Sequence, residues 1–251
     1  MKEMNKKIRI LATIPNFEGL KSWGDVHREL FNTIQNPDVD ITMADLPDAP
    51  IKSVSNAFDA TMLGYLHAQL AIQAEKDGFD GVAFGCLDEP GLDAAREALS
   101  IPVVGDLEAA IHFASLVGRR FSFIIPGPID GNLKGGYGAY LLEDSARKYN
   151  MLHKLASIRS VSGGSLDFAA EDKHLPQAML EQACKAVEED GADAVIGYGS
   201  LRVFNYLAQN LNVPVIDPVR SAVILVESLI RVGLTHSKRA FPIPANLKLF
   251  P

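Results

Sequence analysis

The chain has 251 residues, 47% of them hydrophobic, which is enough for one or two domains around a sizeable core. Its 24 basic and 31 acidic side chains leave a net charge of −7, which argues against nucleic acid and anionic membrane as partners; the Arg119-Arg120 pair is too short a cluster to reverse that. No apolar run reaches the ~18 to 20 residues of a membrane helix. The two cysteines, Cys86 and Cys184, lie far apart, so the expectation is a cytoplasmic protein in a reducing compartment without a disulfide framework.

The opening MKEMNKKIRILATIPN carries lysines before a short apolar run and has no small-residue cleavage site, so it reads as a first strand after an irregular start. Further buried strands are predicted at 39–44, 79–85, 101–105, 121–125, 192–197 and 213–217, with helical-period segments between them. Short apolar runs alternating with amphipathic helices imply an α/β fold with parallel sheets. Segments 126–138 and 161–173 read as long irregular stretches, and RSAVILVESLIRVGL (220–234) as a helix that could join either half of the chain.

Residues 74–110 and 186–222 repeat each other. AEKDGFDGVAFGCLDEPGLDAAREALSIPVVGDLEAA and AVEEDGADAVIGYGSLRVFNYLAQNLNVPVIDPVRSA share an acidic-Gly turn, a buried strand, a turn, a helix and a Pro-Val strand. Two copies imply two similar halves with a cleft between them, the first over 1–116 plus 219–251 and the second over 117–218.

Cys86 follows a buried strand. Asp88, Glu89 and Pro90 suit the start of a helix, with an acidic cap and a proline in the first turn. A thiol at that sheet edge would face backbone N–H groups and the positive helix end, which favour thiolate; a buried structural cysteine fits the same residues. Cys184, at core spacing on a helix, reads as structural. Counting forward from the strand of the second copy puts Gly199 opposite Cys86, whereas counting back from Pro-Val puts Tyr198 there. Tyr198 reads as a proton donor or as packing, and Asn16, after the first strand, as a substrate contact or a loop cap. The six histidines lack metal-ligand spacing, so no metal is expected, and no dinucleotide fingerprint occurs, so no cofactor is expected.

The run FGCLDEPGLDAAREALSIPVVGDLEAAIHFASLVGRRFSFI closely resembles the Asp/Glu/hydantoin racemase superfamily, and within it the hydantoin and allantoin racemase branch. AVEEDGADAVIG, VPVIDPVRSAVILVESLI and the terminal VGLTHSK extend the resemblance over most of the chain. It implies two flavodoxin-like domains related by pseudo-twofold symmetry, no cofactor, and proton transfer at a carbon alpha to a carboxylate or carbonyl of a small acid or amide. In that family two cysteines, one from each half, flank the substrate, and Cys86 matches the first.

The sequence departs from the family pattern at three places. Tyr198-Gly199 stands where Gly-Cys is expected, Ile14-Pro15-Asn16-Phe17-Glu18 replaces Asn-Pro-Asn-Thr-Ser, and Ile125-Pro126 replaces a Thr-Thr pair. The resemblance therefore implies the reaction class rather than hydantoin itself. It assigns catalysis to Cys86 and Tyr198, and substrate contact to Asn16, Leu87, Asp88, Ile125, Pro126, Gly199 and Ser200. Three readings follow: an isomerase or racemase with Cys86 as thiolate base or nucleophile; a malonate-type decarboxylase, in which Cys86 delivers the single proton needed; and a binding protein that has lost turnover. A homo-oligomeric state is left open.

Overall fold

The computed structural model describes residues 7–46, 48–170 and 172–247. The lysine-bearing start at 1–6, position 171 of the segment expected to be irregular, and the last four residues of the expected first half lie outside the described residues. Contacts divide the chain into two units. The first takes in the described residues up to Lys21, Phe31–Asp106, and those from Ala222 onward; the second takes in Ser22–Leu30 and Leu107–Ser221.

In the first unit the elements run β1 (Ile8–Ile14), α1 (Gly19–Asn32, whose middle belongs to the second unit), β2 (Val39–Asp45), α2 (Ala57–Lys76), β3 (Gly81–Phe84), α3 (Leu92–Ala98) and β4 (Val103–Gly105). The sheet order is β2-β1-β3-β4, all parallel, with Ala12 opposite Ala83 and Val82 opposite Val103. Such strands are covered on both faces, and every residue of β3 is buried. Leu11, Ala71, Ala74, Val82, Phe84, Leu92, Ala95, Leu99 and Val103 form one core cluster joining α2 and α3 to the sheet. The order in which successive strands are added across the sheet reverses between β1 and β3, the switch point at which open α/β sheets leave a crevice beyond their carboxyl ends.

The second unit contains α4 (Asp106–Val117, from Leu107), β5 (Phe121–Gly127), β6 (Gly131–Asn132), α5 (Gly136–Lys148), β7 (Leu155–Ser162), α6 (Ser165–Ala169), α7 (Leu175–Glu188), β8 (Ala194–Ile196), α8 (Leu201–Asn210) and β9 (Val215–Ile216); α9 (Pro218–Arg231) begins in it and continues in the first unit. Its sheet runs β6-β7-β5-β8-β9, parallel except for β6, so β7-β5-β8-β9 repeats the order of the first unit and the switch point falls between β5 and β8.

The repeat extends to individual bonds. Asp80 accepts from the Arg9 N–H at 2.8 Å while its own N–H donates to Arg9 O; Asp193 and Arg120 make the same pair, also at 2.8 Å. Gly78 and Gly191, which lead into these aspartates, both have left-handed backbones, at φ +79° and +74°.

The expectation of two irregular stretches is corrected. The segments taken as irregular contain β6, the last residues of β7, and α6, and β7 itself was not foreseen. Its sequence LASIRSVS is polar, yet it is buried because its polar groups are paired: Ser157 Oγ lies 2.8 Å from Ser122 Oγ, and Arg159 binds Asp190 and Glu189. Pro126 lies within β5; beyond Phe123 that strand is bonded on the β7 side alone, so the missing proline N–H interrupts no ladder to β8. The closing helix joins the first unit from Ala222 onward, and the Val226 and Ile230 side chains lie so close over Gly81 that a Cβ there would approach them to 2.6 and 2.9 Å.

The VGLTHSK segment then ties down α3. Thr235 Oγ1 donates to Ser100 O at 2.7 Å, His236 Nε2 accepts from the Val103 N–H at 2.9 Å, and Lys238 Nζ donates to the Arg96, Glu97 and Leu99 carbonyls at the carboxyl end of the helix.

Gly85 follows β3, and a Cβ on it would lie 1.9 Å from the Thr13 carbonyl oxygen, a backbone atom that cannot yield. Gly85→Ala is expected to destabilise the protein by about 3 kcal/mol or more in urea unfolding. A loss below about 1 kcal/mol would show that the two backbones are not held this close.

Candidate functional site

Asn16, Cys86, Leu87 and Asp88 all follow the carboxyl ends of β1 and β3, at the switch point of the first unit. Residues 86–89 form a turn closed by the Glu89 N–H donating to Cys86 O at 3.0 Å. Cys86 itself has φ +78° and Glu89 +46°. Non-glycine residues in this region cost about 1 to 3 kcal/mol each and persist only where the surroundings hold them.

The surroundings here are specific. Buried His67, on α2, stacks on Phe84 with ring centroids 3.4 Å apart. Its Nδ1 lies 3.1 Å from the Pro90 carbonyl, which can only accept, so Nδ1 carries the proton and Nε2 accepts from the Thr13 hydroxyl at 2.6 Å. Thr13 Oγ1 in turn accepts from the Gly85 N–H at 2.9 Å. The Glu89 side chain, also buried, packs onto Gly105, where a Cβ would lie 2.0 Å from Glu89 Oε1.

The expected helix cap does not form. The N-cap of α3 is Gly91, with a left-handed backbone and no side-chain bond, and the helix begins six residues after Cys86. With no helix end at the sulfur, the expected thiolate is not favoured either. Desolvation pushes the Cys86 thiol well above its ordinary value, and the Asp88 charge adds to it; the Asp88 N–H opposes them, and the more weakly acting Asp106 charge pushes upward again. The thiol donates to Asp88 Oδ2 at 3.8 Å. Asn16 uses its amide to donate to Lys52 O at 2.8 Å, tying the loop after β2, and Leu87 is half-buried.

In the second unit, Ile125 and Pro126 close β5, and Tyr198, Gly199 and Ser200 link β8 to α8. Val82 pairs with Val103 as Val195 pairs with Val215, and Asp80 matches Asp193, so the one-residue difference lies between the paired strands and both ways of counting fit the register. Counted from the strand, Tyr198 takes the place of Gly85 and Gly199 that of Cys86. Gly199 also has a positive φ, +132°. Tyr198 packs edge-on between Trp23, at 5.3 Å, and Phe168, at 5.7 Å, and Trp23 continues to His27. Buried Ser200 is the N-cap of α8, and its Oγ has no hydrogen-bond partner among the described residues. Asp217, after β9, is buried, accepts from the Val219 N–H at 2.9 Å and pairs with Arg220 Nε at 2.6 Å; burial raises its pKa and Arg220 opposes that.

A family model described as Asp/Glu/Hydantoin racemase matches residues 25–226. The chain belongs to the Asp/Glu/hydantoin racemase family. It is similar to the hydantoin racemase of Paenarthrobacter aurescens, at 34% identity over 74% of this chain and 76% of that protein. Among solved structures it is similar to the allantoin racemase of Klebsiella pneumoniae, at 27% identity and a TM-score of 0.85, covering 95% of this chain and 94% of that one. It also shares the fold of the Pseudomonas fluorescens allantoin racemase, at 24% identity and a TM-score of 0.81 over 94% and 97% of the two chains. By its family the chain is an enzyme of the isomerase class. Among the described residues no helix is long and apolar enough to cross a membrane, and no group of three or more His, Cys, Asp or Glu could hold a metal ion.

Thr13, His67 and Glu89, and Trp23 and Phe168 in the second unit, were missed from sequence. Each reaches its site through the fold, and only the stacking of β1 beside β3 brings Thr13 to Gly85.

Burial lowers His27 from 6.5 to about 4 and His67 from 6.5 to about 3, so both are neutral in the folded protein. Below pH 6.5 the unfolded chain binds protons that the folded chain refuses. Stability is therefore expected to fall on acidification from pH 6.5 to about 4, by about 1.4 kcal/mol per pH unit for each histidine. Urea unfolding across that window checks the slope, and His27→Gln should roughly halve the histidine contribution. An acid slope unchanged in that variant would mean that His27 titrates alike in both states.

Proposed function

We propose that the chain is a cofactor-independent racemase acting at a carbon alpha to a carbonyl or carboxylate of a small acid, hydantoin-like amide or amino-acid derivative, with Cys86 as its acid–base group. The observation that carries this reading is the thiol held at the switch point of β1 and β3 in a left-handed backbone conformation, against the Asp88 carboxylate. The similarity to hydantoin and allantoin racemases supports it, since both of those substrates carry a ring proton next to a carbonyl.

On binding, the Cys86 thiol gives its proton to solvent water, and the thiolate takes the alpha proton, leaving an enolate-type anion. Return of the thiol proton to the same face restores the substrate; for inversion a water protonates the other face, and the hydroxide it leaves takes the thiol proton, restoring the thiolate. Counted from the strand, Gly199 holds the place that Cys86 has in the other copy of the repeat, a match supported by the positive φ of both, and that place offers no acid–base side chain. Tyr198 corresponds to Gly85 and is held between two aromatic rings, which supports a packing role. Leu87 and Asp88 beside the thiol, and Ile125, Pro126, Gly199 and Ser200 in the second unit, are the proposed substrate contacts; Asn16 contributes through its tie to the loop after β2.

A second reading is favoured by one observation, the raised pKa of Cys86. A thiol protonated at rest is a ready donor, and a decarboxylase of malonate-like acids needs only a donor, because loss of CO₂ itself generates the carbanion.

The experiment is incubation in D₂O with amino acids, hydantoins, allantoin, maleate and substituted malonates, followed by NMR and optical rotation. Alpha-deuteration with loss of rotation is the expected result, and Cys86→Ser should lower that rate by about 10² to 10⁴-fold. Retention of the rate within a few-fold would remove Cys86 from the mechanism. Tyr198→Phe is expected to stay within about threefold of the parent, and a loss near 10²-fold would assign the hydroxyl a proton-transfer role instead. The two readings differ in sign with pH. Racemisation by a thiolate base rises as the thiol ionises, whereas decarboxylation with a thiol donor falls over the same range.

A further inference from the structure

We infer that His67 and Thr13 are positioning residues that clamp both ends of the Cys86 turn and hold the thiol against Asp88. This inference rests on the reading of Cys86 as the acid–base group and names what keeps that group in place.

The geometry is closed. Four residues lie between the two anchor points, the Gly85 N–H before the cysteine and the Pro90 carbonyl after it, and one imidazole reaches both: directly to Pro90 O at 3.1 Å, and through the Thr13 hydroxyl at 2.6 Å and then 2.9 Å to Gly85. Thr13 Oγ1 also lies 3.3 Å from Ala83 O, longer than its 2.6 Å contact with His67 Nε2, so the hydroxyl proton is assigned to the shorter bond. Nδ1–H donates to a carbonyl that can only accept, which leaves Nε2 to accept from the Thr13 O–H, which leaves Thr13 Oγ1 to accept from the Gly85 N–H. The chain of donors therefore has a single direction, and a neutral histidine, as burial makes this one, is the form it requires.

His67 is fully buried and stacked on Phe84, the last residue of β3, so its ring cannot swing away. Thr13 is likewise buried. The hydrogen bonds of both side chains go to groups other than the sulfur: Asp88 is the group bonded to it, and Asp106 is the other charge that acts on it. What the clamp fixes is the backbone at Cys86, at φ +78°, and with it the depth at which the thiol sits. A turn released at either end would relax toward an ordinary backbone conformation and move the sulfur toward water.

The test uses the full chain in a Cys184→Ser background, so that only Cys86 reacts with iodoacetamide. The alkylation rate is followed against pH for the parent, Thr13→Val, Thr13→Ser and His67→Phe, with kcat/KM for the best substrate of the panel measured alongside. Thr13→Val keeps the branched shape but loses the hydroxyl, and Thr13→Ser keeps the hydroxyl. The expected result is that Thr13→Val and His67→Phe shift the alkylation midpoint down by about one pH unit or more, as the thiol leaves its desolvated position. With that shift kcat/KM should fall about 10- to 100-fold, while Thr13→Ser stays near the parent in both.

A purely structural role would lower the melting temperature and leave the midpoint within about 0.3 units of the parent, and that result overturns the clamp. Should His67→Phe fail to fold, the Thr13→Val and Thr13→Ser pair decides alone. The two levels fail separately. Activity retained in Cys86→Ser removes the acid–base reading while the alkylation midpoints still judge the clamp, and an unmoved midpoint in Thr13→Val with Cys86→Ser inactive removes the clamp alone.

Discussion

The N–H of Gly85 finds its acceptor in a side chain, the Thr13 hydroxyl, rather than in a neighbouring strand carbonyl, and the shape of the first unit's site follows from that bond. A strand that continued its ladder past Phe84 would carry Cys86 along the sheet with an ordinary extended backbone. Ending the ladder on a hydroxyl lets the chain turn at once into the left-handed region, where the turn closes on itself through the Glu89 N–H. The price is strict local composition: no side chain fits at Gly85, the hydroxyl must be buried, and a neutral imidazole must complete its bonding.

The second unit builds the same corner with different residues, which shows which parts of the repeat are architectural. The aspartate that receives the first strand's N–H is kept, at Asp80 and Asp193, as are the left-handed glycine before it and the sheet order. The positive φ after the strand is also kept, carried by Cys86 in one copy and by Gly199 in the other. A backbone conformation that glycine adopts without strain is, in the first copy, imposed on a cysteine, and His67 and Thr13 lie in the same unit. In the second, Tyr198 occupies the Gly85 position and is stabilised by ring contacts with Trp23 and Phe168. Glycine needs no clamp there.

Legibility in the sequence followed the range of the interactions. The parallel α/β pattern, the repeat and Cys86 were visible because buried strands, turn glycines and a cysteine between strand and turn are local signals. β7 was invisible because LASIRSVS reads as surface until Ser122, Asp190 and Glu189 arrive from other elements to pair its polar groups. The alignment of Gly199 with Cys86 is ambiguous by one residue in the sequence, and the strand pairings leave it so; the positive φ that the two residues share favours it. His67 and Thr13 carried no signal, since a histidine within a long helix and a threonine within a strand are ordinary at any one position.

The failed helix cap has the largest chemical consequence. Had Asp88 or Glu89 capped a helix beginning beside the thiol, the positive helix end would have lowered the thiol pKa, and the resting enzyme would carry a thiolate. Instead α3 is seven residues long and starts beyond Gly91, too short and too far to act, and the charges that act on the sulfur are the carboxylates of Asp88 and Asp106. A thiol kept protonated this way resists oxidation and alkylation at rest, because those reactions need the thiolate. Once ionised it is correspondingly basic, which suits removal of a weakly acidic alpha proton. Desolvation and the acidic surroundings thus set a high proton affinity at Cys86, and the proposed mechanism requires its ionisation to be coupled to the arrival of substrate, which changes the desolvation that dominates the shift.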